Sequence, residues 1–300
     1  MNKKKSFTLV EMLVVIAIIG ILSGVILIST SGSTDKARLA KAQAFATTTQ
    51  TQLGYDLISE WKFEGHTGIG SPSTNIDVLD SVGSNDGDIT GHAPTIKGES
   101  DCISGKCLFF DGLDDYIDFG NKASLDLIDK NIEFWFKTSV NGVGVIGQTG
   151  GSGQWVLTIR GNRFVWDTWA TGLDMAAYKN IIDDKWHHFV VSISDSKDAE
   201  YFYLDGVLER VSTATVTTPA ATGNLYLGSC SVAISTTWCT NAGATASFFN
   251  GYLDEVKIYK EALGEAKIKE QYLAGLDSML AKNLISKEEY NEKVELLAKN

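Results

Sequence analysis

Four groups of side chains in this sequence have types and spacings that could do chemistry. Asp111, Asp114 and Asp115 cluster beside Gly112, in a stretch that could cradle a divalent cation or simply turn the chain. The ligand spacing of an EF-hand is absent, and Asp-Gly turns without any metal, so a turn is the plainer reading. His187 and His188 are adjacent, and neighbours on a strand project to opposite faces. They cannot jointly grip one ion, and a structural role is expected. The remaining histidines, His66 and His92, add no ligand spacing. Cys102 with Cys107, and Cys230 with Cys239, form two close pairs without C-x-x-C spacing. Two short local disulfides are expected if the domain is exported; free buried thiols or a mixed arrangement are the alternative. The fourth feature is one carboxylate, Glu11, near the start of an otherwise apolar run. Burying it unpaired would cost several kcal/mol or force its protonation, so it needs a partner.

Catalytic patterns are missing. A retaining glycosidase needs two carboxylates about 5 Å apart. No strand-like run supplies them, and Asp254 and Glu255 are immediate neighbours facing opposite ways. There is no G-x-S-x-G, no P-loop and no zinc-protease motif, and an enzyme is not expected. Trp155, Trp166, Trp169 and Trp238 could stack on sugar rings, although most tryptophans of a sandwich belong to its core.

The elements that must position these residues change character along the chain. Lys3, Lys4 and Lys5 precede an uncharged stretch from Met12 to Ile28. As a helix, Phe7 to Ile28 would span about 33 Å, enough for a bilayer, with the positive end in the cytoplasm. Residues 34–56 continue as an amphipathic pattern, a helix against the head or a flexible stalk. From Leu57 the period becomes 2, and short alternating runs recur between Gly, Asn and Asp turns. Leu204-Asp205-Gly206 marks a tight hairpin. Many strands and 29 glycines indicate an antiparallel β-sandwich or jelly roll. After Tyr259 the period is helical again. Residues 263–274 read as one helix, Leu276, Met279, Leu280 and Leu284 form an apolar stripe, and Ser286 with Glu289 makes a capping box for another helix. That pair either packs on the sandwich or docks another subunit. The formal net charge of −11 argues against nucleic acid as a partner; without the three leading lysines the body stands at −14.

Two resemblances follow from quoted residues. The string from Lys5 to Leu22, KSFTLVEMLVVIAIIGIL, resembles the N-terminal motif of type IV pilins and type II secretion pseudopilins. The resemblance implies cleavage by a prepilin peptidase between Ser6 and Phe7, N-methylation of Phe7, and pairing of Glu11 with a neighbouring subunit's amino terminus. The residue before the cut is Ser6 where Gly is usual, and the common helix-kinking Pro is absent. An uncleaved single-pass anchor is the alternative. The body resembles the laminin-G-like, concanavalin A-like jelly roll: LISEWKF (57–63), LDSVGSNDG (79–87), LFFDGLDDYI (108–117), IEFWFK (132–137), WHHFV (186–190), YLDG (203–206) and FNGYLDEVKIY (249–259) occur in family order. That resemblance implies a structural calcium at Asp80, Asn85 and Asp254, with Glu255 as a further ligand; turn formation by the same residues is the alternative.

The sequence therefore predicts a mostly β chain: a leader (1–6), a long pilin-like helix (7–56), transmembrane at its start and periplasmic or extracellular beyond, a laminin-G-like antiparallel jelly roll (57–262) and a C-terminal helical hairpin (263–300). The function expected is that of a minor pilin or pilin-like filament subunit displaying a head that binds glycan or surface protein. A pseudopilin contacting exported cargo is the alternative, and an exported polysaccharide hydrolase is third. Expected partners are other pilin subunits, prepilin peptidase and the inner membrane. The body would lie outside the cytoplasm, at the cell surface once assembled.

Overall fold

The computed structural model describes residues 57–64, 78–89, 93–149, 153–168, 180–194, 199–212, 221–229 and 248–299, all within the second of the two units into which the chain divides, 55–300. Its strands, in chain order, are β1 (Leu57–Trp61), β2 (Thr95–Lys97), β3 (Cys107–Asp111), β4 (Ile117–Gly120), β5 (Lys130–Lys137), β6 (Val143–Thr149), β7 (Trp155–Arg160), β8 (Arg163–Thr168), β9 (His187–Ser194), β10 (Ala199–Leu204), β11 (Val207–Ser212), β12 (Asn224–Leu227) and β13 (Asn250–Tyr259). They form two antiparallel sheets. One runs β11-β10-β9-β5-β13-β3-β2, with β1 added on β13; the other runs β4-β12-β6-β7-β8. The long β13 pairs with β3 through residues 250–253 and with β1 through residues 256–259, while β5 lies along its other side.

Period-2 alternation decides what each face buries. On β5, Ile132, Phe134 and Phe136 enter the core between the sheets, and Glu133 and Trp135 face away from it. Phe164, on the second sheet, closes that core: its ring centroid lies 4.0 Å from Phe189, 4.9 Å from Phe136 and 6.0 Å from Phe134. Each such buried ring contributes about 2–3 kcal/mol of transfer free energy. The expected antiparallel β-sandwich is the fold observed.

The outward face of the larger sheet is covered by two helices, α1 (Glu265–Ala281) and α2 (Lys287–Lys299). A second apolar cluster joins Tyr272, Leu276, Met279, Ile285 and Leu297 to Trp135, Trp186, Cys102, Ile103 and Cys107. Tyr272 stacks on Trp135 at 5.6 Å. The backbone N–H of Glu289 donates to Ser286 Oγ at 3.1 Å, the expected cap of α2. Thus the helical hairpin packs on the sandwich, and α1 runs through Ala281, beyond the helix read from residues 263–274. Where α1 crosses β5 there is room only for glycine: a Cβ on Gly275 would sit 2.0 Å from Trp135 Cζ2.

The adjacent histidines do diverge. His187 shares the core-facing row with Phe189, Val191 and Ile193, and its ring lies 5.6 Å from Phe136. His188 lies on the helix side, 6.0 Å from Tyr272. His187 locks the β10–β11 hairpin: Nδ1 is 3.0 Å from Asp205 Oδ2 and Nε2 is 3.1 Å from Asp183 Oδ1. Asp205 and Gly206 both take positive φ (52° and 73°), as a two-residue Asp-Gly hairpin requires. Burial pulls the His187 pKa down, but hydrogen bonds and charge from Asp205 and Asp183 outweigh it, so the pKa is raised.

Two outcomes follow. Gly275→Ala must push α1 off Trp135, and urea denaturation is expected to show a loss of about 1–3 kcal/mol. A group whose folded pKa is raised stabilises fully below its unfolded value, 6.5 for His187, and loses that contribution as pH rises through the folded value. His187→Gln is therefore expected to lower the melting temperature more near about pH 5 than near about pH 9. A pH-independent decrement in thermal scans would contradict the ion-paired clamp.

Candidate functional site

Three carboxylates meet at the β3–β4 turn. Ligand oxygens of Asp111, Asp114 and Asp115 lie within 4.8 Å of one another, the one acidic or His/Cys group of three or more that converges among the described residues. The turn is also self-made. Asp115 Oδ2 accepts the Asp111 N–H at 2.8 Å, and Asp111 Oδ1 accepts the Leu113 N–H at 2.8 Å. Asn250 Nδ2 donates to the Asp111 carbonyl at 2.6 Å. Gly112, at φ 79°, leaves no space for a side chain, since a Cβ would lie 2.7 Å from Asn250. The cluster combines a tight turn with a set of oxygens able to hold a cation.

Asp80, Asn85, Asp254 and Glu255 occupy different surroundings. Asp80 Oδ1 accepts backbone N–H groups of Glu60, Val82 and Gly83 at 3.0, 3.1 and 2.9 Å, and Oδ2 accepts that of Asn85 at 3.1 Å. Burial alone would raise the Asp80 pKa; these four donors hold it below the usual value. Asn85 donates to Ser59 Oγ at 2.7 Å and accepts from Ser124 Oγ at 2.6 Å, and its carbonyl receives the Trp61 indole N–H at 2.9 Å. This pair fastens the 78–87 loop to β1. Asp254, fully buried, accepts N–H groups of Ser104 at 3.0 Å and Glu255 at 2.8 Å. Burial and the neighbouring Glu255 raise its pKa well above the ordinary aspartate value. Glu255, at φ 49°, sits in a bulge of β13 and pairs with Lys257 at 2.8 Å. The oxygens of Asp80, Asn85 and Asp254 thus accept protein donors, the turn-forming role that stood as the alternative to a calcium site.

Cys102 and Cys107 form a disulfide, which closes the loop whose Ser104 amide reaches Asp254. Trp155 and Trp166 are buried and stack on each other at 4.6 Å, so they are core residues. Ser6, Phe7, Glu11, His66, His92, Trp169, Cys230, Trp238 and Cys239 lie outside the described residues, as does the apolar N-terminal stretch. Among the described residues no helix is long and apolar enough to cross a membrane.

Sequence reasoning missed a polar group beneath α1. Glu133 accepts from or donates to the His188 ring through Oε1 and Nε2 at 3.0 Å, and Lys257 reaches Glu255 and Glu60 at 2.8 and 3.8 Å. Gln271 Nε2 on α1 donates to Tyr259 Oη at 2.7 Å. The signal was present in the alternation: Glu133, His188 and Lys257 stand on central strands opposite core residues, where a covering helix would enclose them.

Comparison with known proteins agrees with this architecture. Residues 111–269 match the family described as the concanavalin A-like lectin/glucanases superfamily, and residues 1–27 match the prokaryotic N-terminal methylation motif. No curated protein sequence matches the chain. Among solved structures, domain 4 of AbnA, a GH43 extracellular arabinanase from Geobacillus stearothermophilus solved with arabinotriose, is similar at 18% identity and TM-score 0.55, over 72% of this chain and 97% of that one. The binding domain of Paraclostridial Mosquitocidal Protein 1 is similar at 14% identity and TM-score 0.52, over 75% of this chain and 53% of that one. The binding domain of botulinum neurotoxin DC, in complex with rat synaptotagmin II, is similar at 11% identity and TM-score 0.51, over 74% and 52%. The match thus spans about half the length of each toxin domain, and at these identities it speaks for the fold. With more than half of its residues matched by one family and two packed antiparallel sheets to show for it, the chain belongs to the concanavalin A-like lectin/glucanase superfamily and opens with a prokaryotic N-terminal methylation motif.

Proposed function

We propose that this chain is a minor pilin or pilin-like filament subunit, exported with its body outside the cytoplasm, whose β-sandwich head recognises a glycan or a surface protein. The observation that carries the reading is the methylation motif at residues 1–27 in the same chain as a lectin-type sandwich. In this reading a prepilin peptidase cuts between Ser6 and Phe7, and Phe7 is N-methylated. Glu11 then meets the amino terminus of a neighbouring copy, which neutralises a carboxylate that the bilayer would otherwise exclude. The head is proposed to bind rather than hydrolyse. Oligosaccharide is one class to probe, since the similar arabinanase domain was solved with arabinotriose.

Mass spectrometry of the native N-terminus tests the processing: a chain beginning at methylated Phe7 is expected, and an intact Met1 would leave only an anchored protein. Glu11→Gln is expected to cut incorporation into sheared surface filaments by at least about tenfold, because a neutral amide gains nothing from meeting the neighbour's ammonium, whereas pairing relieves the wild-type carboxylate of several kcal/mol. Normal incorporation of that variant would refute the assembly role. A gene deletion that abolishes protein export while leaving adhesion intact would move the chain to a secretion pseudopilus.

A further inference from the structure

Between α1 and the outward face of the eight-stranded sheet lies a cavity of about 220 Å³. Its walls include Glu133, Glu255, Lys257, Trp135 and Gln271, with exposed Ala274 among them. Glu133 is only 1% exposed, yet its Oε2 has no hydrogen-bond partner. A buried ionised oxygen left in that condition costs several kcal/mol. Burial alone would push the Glu133 pKa up, but the His188 hydrogen bond and the Lys257 charge hold it below the usual value. Gln271 Oε1 is also without a partner. That amide could turn over on its bond to Tyr259; the carboxylate has no such freedom, so Glu133 decides the chemistry.

The donors on the cavity walls are already committed: Gln271 Nε2 to Tyr259 and the Ser278 hydroxyl to the Ile103 carbonyl. Lys257 is committed to Glu255 and Glu60, and Lys62 pairs with Glu60 at 3.1 Å. Ser104 hydrogen-bonds Glu255, and Lys267, whose charge also acts on Glu133, pairs with Glu270 at 3.2 Å, so the nearby donors are engaged elsewhere and Glu133 Oε2 is left without one. An incoming group must carry positive charge and N–H or O–H donors. Calcium would demand six to eight oxygens, far more than the free acceptors here. An ammonium needs only two or three, and Trp135 and Ile103 give the wall apolar carbon for an alkyl stem. At about 30 Å³ per water-sized group the volume accepts roughly seven, ample for a four-carbon chain with its headgroup.

We propose that this cavity is a binding site for a small organic ammonium ion, of the kind a lysine side chain or a free alkylamine presents, with Glu133 Oε2 as its anchoring acceptor. The site is separate from the acidic turn at Asp111 and does not depend on the filament reading.

The test is isothermal titration of the full chain in detergent micelles with n-butylammonium chloride, against potassium chloride and calcium chloride at equal ionic strength. Saturable binding of butylammonium is expected, weakened at least about tenfold by Glu133→Gln, the equivalent of about 1.4 kcal/mol. Ala274→Trp, which fills the cavity from its exposed wall and leaves the carboxylates alone, is expected to weaken it as much. It serves where Glu133→Gln does not fold. Absence of saturable binding, binding unchanged in the folded variants, or equal displacement by potassium or calcium would overturn the proposal. Chain-length selectivity among alkylamines, with butylammonium above ammonium itself, would support it.

Discussion

Strands β5 and β13 run side by side through the middle of the larger sheet, and both faces of that pair are largely covered. One face supplies the sandwich core with Ile132, Phe134, Phe136, Leu253, Val256 and Ile258. The other carries Glu133, Trp135 and Lys257, which a bare sheet would leave in solvent. Covering them with α1 stabilises the molecule through Trp135 and Tyr272, but it also removes charges from water, at several kcal/mol per ion before pairing. The polar row is tolerable because its members are mutually placed: Glu133 on His188, Lys257 on Glu255, Gln271 on Tyr259. Double-sided burial of two strands therefore sets the position of the helices, the need for glycine at residue 275, and the location of the cavity.

The bulge at Glu255 is the device that makes this possible. Without it, alternation would carry either Leu253 or Val256 out of the core, since they lie three positions apart. Register between β13 and β5 slips between Asp254 and Lys257, and Glu255 takes φ 49°. Both apolar residues then face inward, and Asp254 and Glu255, expected from strict alternation to face opposite ways, share the outward side because the bulge breaks that alternation. Two adjacent carboxylates cannot both stay ionised under a helix at low cost. Lys257 stabilises the charge on Glu255, and Asp254 is driven toward neutrality while backbone amides take up its oxygens. Asp254 thus acts as a splint for the bulge and for the 102–107 loop.

Most of the sandwich was legible because its strands alternate cleanly and its turns announce themselves; Asp205-Gly206 is the sharpest case, with both residues at positive φ. Two strands were not read. β6 (VGVIGQT) is interrupted by Gly144 and Gly147 and is buried along its whole length, so no two-faced pattern exists to be seen. β2 spans three residues, too few for any period. The metal-type residues divided in another way. The Asp111–Asp115 turn was visible as a turn, and the structure adds that its carboxylates also converge. Asp80 and Asn85 stand where the family resemblance implies ligands, but oxygen atoms alone do not reveal which backbone amides will claim them; that depends on β1 arriving from another part of the chain. Glu133 looked like an ordinary surface glutamate, because its burial comes from a helix more than 130 residues later.

The disulfide loop draws these strands of evidence into one region. Cys102 and Cys107 bracket a segment whose Ser104 amide serves Asp254, whose Ile103 carbonyl receives the hydroxyl of Ser278 on α1, and whose Cys102 and Ile103 carbonyls receive Lys282 at 3.2 and 3.1 Å. The Trp186 indole N–H reaches the Asp101 carbonyl beside it at 3.0 Å. A short loop is thus the common partner of β13, of the end of α1, and of the residue that leads into β9. Closing so short a loop restricts the unfolded chain by about 2 kcal/mol, and the larger effect is positional. The bridge holds four acceptors and donors where the buried acid and the helix end require them. Such a bridge persists where thiols are oxidised, outside the cytoplasm. The bridge therefore agrees with the export proposed for a chain that opens with an N-terminal methylation motif.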